Sequence, residues 1–148
     1  MPGTIQVEYV GTKRPFVSGK DLILAVIAEI GVGGSTNHAL ELVGPDAEAL
    51  SVDEQLAAAN LAVEAGSEAG LFPADETTPE YLGGRTSRAW RPERSDPDSD
   101  VARRVRIDLD TFGPLVALPH SPGKVASLDD AVALRLARPT SETARTAR

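Results

Sequence analysis

The sequence contains no cysteine, and this absence limits the chemistry that the chain can carry out by itself. Without thiols the chain forms no disulfide bond, and it provides none of the thiolates that hold structural zinc or an iron–sulfur cluster. Its two histidines, His38 and His120, are far apart in the sequence and show no metal-ligand spacing. We therefore expect no metal site and no cofactor bound by this chain.

Aromatic residues and long apolar runs are also scarce. Phenylalanine, tyrosine and tryptophan make up 4% of the 148 residues, so the core must be built from alanine, valine, leucine and isoleucine. No segment approaches the roughly 20 consecutive apolar residues that a membrane-spanning helix needs. No basic start precedes an apolar stretch, as it would in a secretory signal. These absences favour a cytoplasmic protein with no membrane partner.

Basic residues are nearly missing from the first part of the chain, although the whole sequence has a net charge of only −7. Residues 1–84 contain 3 basic and 13 acidic side chains, whereas residues 85–148 contain 12 and 9. The acidic body disfavours nucleic acid and anionic membranes as partners, because both are negatively charged. The arginines of residues 85–106 could attract an anionic partner, but the aspartate and proline between them favour a solvated segment.

Alternating strand and helix patterns predict an α/β fold class. Ser18 and Ser51 each stand three residues before an acidic residue, which is the capping-box pattern that begins a helix. We expect one layered domain over residues 1–136, a small sheet flanked by helices, with a long loop at 84–102 and a disordered tail at 137–148. The predicted elements are a strand at 4–10, a helix at 18–31, a strand at 38–43, a helix at 51–68, a strand at 70–73, a short helix from 75 to about 83, a strand at 105–110, an apolar loop at 115–123 and a helix at 127–136.

Several segments resemble the aconitase superfamily, in the same linear order. Those segments are 15–26 (PFVSGKDLILAV), 33–36 (GGST), 38–41 (HALE), 51–70, 75–78 (DETT) and 115–122 (LVALPHSP). Over about residues 4–125 the chain is similar to the second domain, a compact α/β unit, of 3-isopropylmalate dehydratase and homoaconitase large subunits. In that family, neighbouring domains bring catalytic histidine and aspartate residues and three cysteines for a [4Fe-4S] cluster. We expect this chain to be one such domain without its cluster-binding neighbours.

Asn60 and Glu64 are the leading candidates for catalytic residues. They stand four residues apart, so on a helix both side chains project from one face. The resemblance implies that this pair lines the active-site cleft, with the glutamate hydrogen-bonded to histidines of a neighbouring domain and to the water bound at the cluster. The alternative is that Glu64 lies on a solvated face while Asn60 satisfies a nearby backbone group.

The turn formed by Gly33, Gly34, Ser35 and Thr36 is the candidate substrate-binding segment. It is not expected to cradle a phosphate, because no helix begins directly after it to provide free amides. A tight turn between a helix and a strand is favoured, and the resemblance implies that this turn approaches the active site. His38, just beyond it, is a third catalytic candidate, although a histidine at the start of a strand is commonly a packed, hydrogen-bonded residue.

These residues favour dehydratase or isomerase chemistry on a small carbonyl or carboxylic acid, with Glu64 as the acid/base. The chain would act either as a stand-alone domain without an iron–sulfur cluster or as a subunit of a split hydro-lyase. The alternative function is a non-catalytic domain that binds a small molecule or another protein. We expect Asn60 and Glu64 to face a pocket formed with residues 33–38. We also expect a homo-oligomer, most simply a dimer, or a partner subunit to cover faces that meet other domains in the family.

Overall fold

The computed structural model describes residues 2–96 and 98–137. Its main sheet has four parallel strands in the order β3-β2-β1-β4. The strands are β1 (Gly3–Val10), β2 (His38–Val43), β3 (Ala69–Leu71) and β4 (Arg103–Asp108). The expected α/β class, with a small sheet flanked by helices, is confirmed. The tail predicted at 137–148 lies outside the described residues from position 138 onward.

Helices lie in the connections between successive strands of the main sheet, and one more helix comes after the last strand. The α-helices in the described ranges are α1 (Gly19–Ile30), α2 (Pro45–Glu48), α3 (Val52–Leu61), α4 (Thr78–Leu82) and α5 (Leu128–Ala137). Short 3-10 turns follow α3 at Ala62–Ala65 and β4 at Leu109–Thr111. Two further strands, β5 (Leu115–Ala117) and β6 (Val125–Ser127), form an antiparallel hairpin. Within residues 2–96 and 98–137, every helix is too short or too polar to cross a lipid bilayer.

One face of the main sheet carries the hydrophobic core. Ile5, Val7 and Tyr9 alternate along β1 and are buried. The parallel register sets Ile5 beside Leu40 and Val7 beside Leu42 on the neighbouring strand β2. Helices α1 and α3 contact each other and contribute to the same cluster. Burial of this shared apolar surface, at about 25 cal/mol per Å², is the main force that holds helices and sheet together.

The opposite face of the sheet is polar. On it, the amide of Gln6 donates to the carboxylate of Glu41 over 3.0 Å, and the guanidinium of Arg104 donates to the carbonyl oxygen of Gln6. The hydroxyl of Ser95, in the connection from α4 to β4, donates to Glu41 over 2.5 Å. Glu41 is buried beneath this connection, and its carboxylate is satisfied by these two donors.

Two boundaries expected from the sequence are wrong. The helix expected to reach residue 68 leaves α geometry at Leu61, and its 3-10 extension stops where Gly66 adopts a left-handed φ of 81°. The apolar loop expected at 115–123 begins with β5. The three-residue strands of this hairpin are too short to show a period of two in the sequence. The buried carboxylate of Asp21 accepts from the amide of Leu115 over 2.7 Å, which anchors β5 on α1.

Asp75, which was expected to cap α4, connects that helix to α3. Its Oδ1 accepts from the amides of Thr77 (2.9 Å) and Thr78 (3.1 Å), and its Oδ2 accepts from Nε2 of the buried Gln55 over 2.6 Å. Partial burial alone would raise the pKa of this carboxyl, but the hydrogen bonds from Thr77, Gln55 and Thr78 outweigh burial and lower the pKa to about 2. These bonds favour the charged form, so Asp75 stabilises the fold when it is ionised.

The lowered pKa of Asp75 predicts how the stability of the chain depends on pH. An unfolded aspartate has a pKa of roughly 3.9. The contribution of Asp75 should therefore be complete above about pH 4 and disappear as the pH falls through about 2. Asp75→Asn should lower the urea midpoint at pH 7, and its difference from the wild type should shrink between pH 4 and pH 2. Glu76→Gln, which removes the adjacent exposed carboxylate, is the control; an equal effect of both variants would contradict the prediction.

Candidate functional site

The parallel sheet brings the predicted site residues to one edge, namely the amino end at which its strands begin. Every connection from a helix back to a strand must return to the amino end of the sheet, because all four strands run in the same direction. The turn at residues 31–37 joins α1 to β2 there, and the segment at residues 62–68 joins α3 to β3. His38 begins β2, Asn60 lies in the last turn of α3, and Glu64 lies in the 3-10 turn.

The two connecting segments are hydrogen-bonded to each other. The carbonyl oxygen of Ala65 accepts from both the amide (3.0 Å) and the hydroxyl (2.8 Å) of Ser35. In the opposite direction, the carbonyl oxygen of His38 accepts from the hydroxyl of Ser67 (3.1 Å) and the amide of Glu68 (2.9 Å). Ser35 is fully buried and Ser67 is 9% exposed, so water competes little for these bonds.

Gly66 allows this close approach, and Gly34 allows the turn to fold back against the end of α1. A Cβ atom at Gly66 would lie 2.9 Å from Cα of Gly33 and 2.9 Å from the hydroxyl oxygen of Thr36. A Cβ atom at Gly34 would lie 2.0 Å from the carbonyl oxygen of Ile30, which no side chain can tolerate. The glycines of the turn therefore make room for neighbouring backbone.

Three of the four amides of residues 33–36 are already used within the protein. Those of Gly34 and Thr36 donate to the carbonyl oxygens of Gly31 (3.0 Å) and Gly33 (3.1 Å), and that of Ser35 donates to Ala65. The hydroxyl of Thr36 also donates to the carbonyl oxygen of Gly33, over 2.7 Å. The turn thus offers no row of free amides to an anion, and the buried hydroxyl of Ser35 faces Ala65. Substrate binding by residues 33–36 stays a prediction that would involve their outer surface.

Asn60 and Glu64 project into solvent, contrary to the expectation that they face a pocket. Among the described residues, neither side chain makes a hydrogen bond. The α-helix gives way to a 3-10 turn between the two positions, so the strict one-face geometry of an i, i+4 pair does not continue through Glu64. Val63 and Val32 are also exposed at this edge, by 65% and 58%. Glu64 therefore lies on a solvated face, which is the alternative that the sequence left open.

His38 is half-buried and its ring is oriented by the backbone. Its Nδ1 lies 2.8 Å from the carbonyl oxygen of Thr36, and a carbonyl only accepts, so Nδ1 carries the proton. In the neutral imidazole, Nε2 is then the atom free to accept a proton. The ring packs beside Gly3, where a Cβ atom would lie 3.0 Å from Cδ2 of His38. His120 is exposed, with a left-handed φ of 79°.

Gly66 and Ser67, which join the two segments, were not expected from the sequence. The available signal was a glycine directly after an apolar helical pattern, which commonly marks the left-handed residue that ends a helix. That reading would have ended the helix before residue 68 and placed a joint beside Glu64. The pairing of Ser35 with Ala65 had no local signal, because it links residues 30 positions apart.

Comparison with known proteins gives a consistent result. A family model described as the aconitase family (aconitate hydratase) matches residues 1–148. The 3-isopropylmalate dehydratase large subunit 2 of Rubrobacter xylanophilus is 62% identical over 131 residues, 88% of this chain and 31% of that protein. The large subunits of Moorella thermoacetica and Halothermothrix orenii are 42% and 43% identical, covering 88% and 82% of this chain and 31% and 29% of theirs. The chain spans about a third of the length of these relatives.

The expectation of no cofactor is wrong in the light of these relatives. They are 3-isopropylmalate dehydratase large subunits, and the resemblance of this chain to that family implies a [4Fe-4S] cluster. The residues of this chain nevertheless do not fit such a cluster, since the sequence has no cysteine. No group of three or more histidine, aspartate or glutamate side chains is placed to hold a metal ion within residues 2–96 and 98–137.

The close contact at Gly66 predicts a selective loss of stability. Gly66→Ala places a Cβ atom against Gly33 and forces a side chain into left-handed backbone. We expect a loss of at least ~2 kcal/mol in the free energy of unfolding, measured by urea denaturation. Gly84→Ala is the matched control, because Gly84 also has a positive φ (72°) but has open space around it, and should lose only ~1 kcal/mol. Equal losses would show that the contact with Gly33 carries no cost.

Proposed function

Because the chain belongs to the aconitase family, we propose that it forms one wall of the active site of a dehydratase, with Glu64 as a proton-transfer residue. Its relatives are dehydratases, so its ancestry is that of a hydro-lyase. The proposed substrate is a small hydroxy dicarboxylic acid of the 3-isopropylmalate type. The observation that carries the proposal is the joining of the Glu64 turn to the 33–36 turn beside His38.

Dehydration breaks a C–H bond and a C–O bond on adjacent carbons and leaves a double bond and one molecule of water. A carboxylate oxygen of Glu64 would accept or return the proton in this exchange. The amide of Asn60, one helical turn earlier, can both donate to and accept from a hydroxyl or carboxylate of the substrate. His38 has an unprotonated Nε2 in its neutral form and could accept a hydrogen bond from the same ligand.

The thiolates for a [4Fe-4S] cluster must come from outside this chain, which has no cysteine. Such a cluster, where bound, supplies a Lewis acid for the departing hydroxyl group. The contribution that we assign to this chain is limited to proton transfer and substrate contact by Glu64, Asn60 and His38. All three retain these roles only if another surface excludes water from them.

The enclosing surface would meet the edge that carries Glu64. Val32 and Val63 are exposed there, and Leu56 is 52% exposed one helical turn before Asn60. Exposed apolar side chains around a polar centre are typical of a surface that another element covers. We propose that further dehydratase elements, in the same polypeptide or in a partner subunit, cover this edge, and that a second copy of the chain covers it when no such element is present.

A chimeric enzyme tests the proposed function. The segment of the Rubrobacter xylanophilus large subunit 2 that aligns with this chain is replaced by this sequence, and dehydration of 3-isopropylmalate is measured in the presence of the small subunit. We expect the chimera to be active and Glu64→Gln to lower kcat by ~10² to 10⁴, because the substitution keeps the shape but removes the titrating group.

Glu68→Gln is the control for this experiment, since Glu68 is exposed in the same connecting segment. Its kcat should stay within about twofold of the parent chimera, as expected for a surface carboxylate outside the reaction. A chimera that is folded but inactive would overturn the proposal that this chain forms a wall of the active site. A Glu64→Gln variant as active as Glu68→Gln would overturn the proposed role of Glu64.

A further inference from the structure

We propose that Ser35 is a positioning residue for Glu64, and that it acts together with Ser67 as a reciprocal serine bridge between the two turns. The proposal rests on the proposed function in one respect, namely that Glu64 takes part in the reaction. It assigns Ser35 a role different from contact with substrate, because its hydroxyl is fully buried and donates to Ala65.

The bond geometry explains why Ser35 acts on Glu64. Ala65 directly follows Glu64, and its carbonyl oxygen accepts two donors from one residue, the amide of Ser35 at 3.0 Å and its hydroxyl at 2.8 Å. Two donors from a buried residue restrict the rotation of the peptide unit between Ala65 and Gly66, which begins one residue after Glu64. A 3-10 turn needs such support, since its own hydrogen bonds have poorer geometry than those of an α-helix.

The second half of the bridge holds the turn from the other side. The single hydroxyl proton of Ser67 is shared between the carbonyl oxygens of His38 (3.1 Å) and Ala69 (2.7 Å), and the amide of Glu68 also donates to His38, over 2.9 Å. Glu64 is therefore flanked by Ser35 on one side of its turn and by Ser67 three residues later. The same bridge connects the Glu64 turn to the backbone of His38, so the backbone positions that carry these two side chains are joined by hydrogen bonds.

Removal of the Ser35 hydroxyl should make the Glu64 turn more mobile while Glu64, Asn60 and His38 are all retained. Ser35→Ala keeps the hydrogen bond from the backbone amide of residue 35 to Ala65, and its side chain has nearly the same volume. It removes the hydroxyl, which is one of the two donors. A misplacement of a reacting group by about 1 Å can cost up to ~10² in rate. We therefore expect kcat of the chimera to fall by about 10- to 100-fold, with KM within about twofold of its parent value.

Ser51→Ala is the matched control for this variant. Ser51 loses the same hydroxyl, and its side chain caps the far end of α3 by accepting from the amide of Glu54 over 3.3 Å. The loss of the cap should lower the urea midpoint by an amount similar to Ser35→Ala, while kcat stays within about twofold. Equal effects on kcat would show that Ser35 acts only through general stability.

A double-mutant cycle separates positioning of Glu64 from other roles of Ser35. If Ser35 acts through Glu64, Ser35→Ala should cause no further loss of kcat in a Glu64→Gln chimera. A full additional loss in that background would overturn the proposal. If Glu64→Gln alone leaves kcat unchanged, the proposed function fails, whereas a large effect of Glu64→Gln with none of Ser35→Ala contradicts the bridge alone.

Backbone relaxation of the 148-residue chain provides a test without catalysis. We expect Ser35→Ala to lower the ¹⁵N order parameters of residues 63–66, while Ser51→Ala leaves them unchanged. Unchanged order parameters in Ser35→Ala would contradict the bridge whatever the chimera shows. Lower values accompanied by normal kcat would show that the turn tolerates motion and would overturn the positioning role.

Discussion

The hydrogen bonding of β1 on both of its edges determines where the other parts of the domain lie. β1 pairs in parallel with β2 on one side and with β4 on the other, and β2 in turn pairs with β3. Parallel pairing requires that each connecting helix cross back to the amino end of the sheet. As a result, the turn before His38 and the turn that carries Glu64 meet at the amino end of the sheet, although they are separate in the sequence.

The parts of the structure that could be predicted depend on local patterns. Alternation along β1 and β4 and the capping residues Ser18 and Ser51 indicated where two strands and two helices lie, because these signals lie within a few residues of each other. The family resemblance also followed from short segments in a constant order. Asn60, Glu64 and His38 could be chosen by spacing and resemblance, and the structure brings them to the same edge of the sheet.

The remaining features depend on contacts that no local pattern contains. The packing of Gly66 against Gly33 and the bonds from Ser35 to Ala65 join segments about 30 residues apart. The exposure of Glu64 depends on the 3-10 turn that replaces the helix after Leu61, which a pattern of two polar residues on a helix does not encode. The cofactor expectation was wrong for a related reason, since the absence of cysteine from one chain describes only the ligands that this chain supplies.

The order of the strands has a consequence for the synthesis of the chain. Gln6 of β1 contacts Arg104 of β4, which is 98 residues later. At 5–20 residues per second, a ribosome needs roughly 5–20 s to make that distance. During this interval one edge of the nascent β1 has no strand beside it. Strand β4, once added, becomes the outer strand and exposes the charged side chains Arg104, Arg106 and Asp108, which discourage pairing with a neighbouring polypeptide.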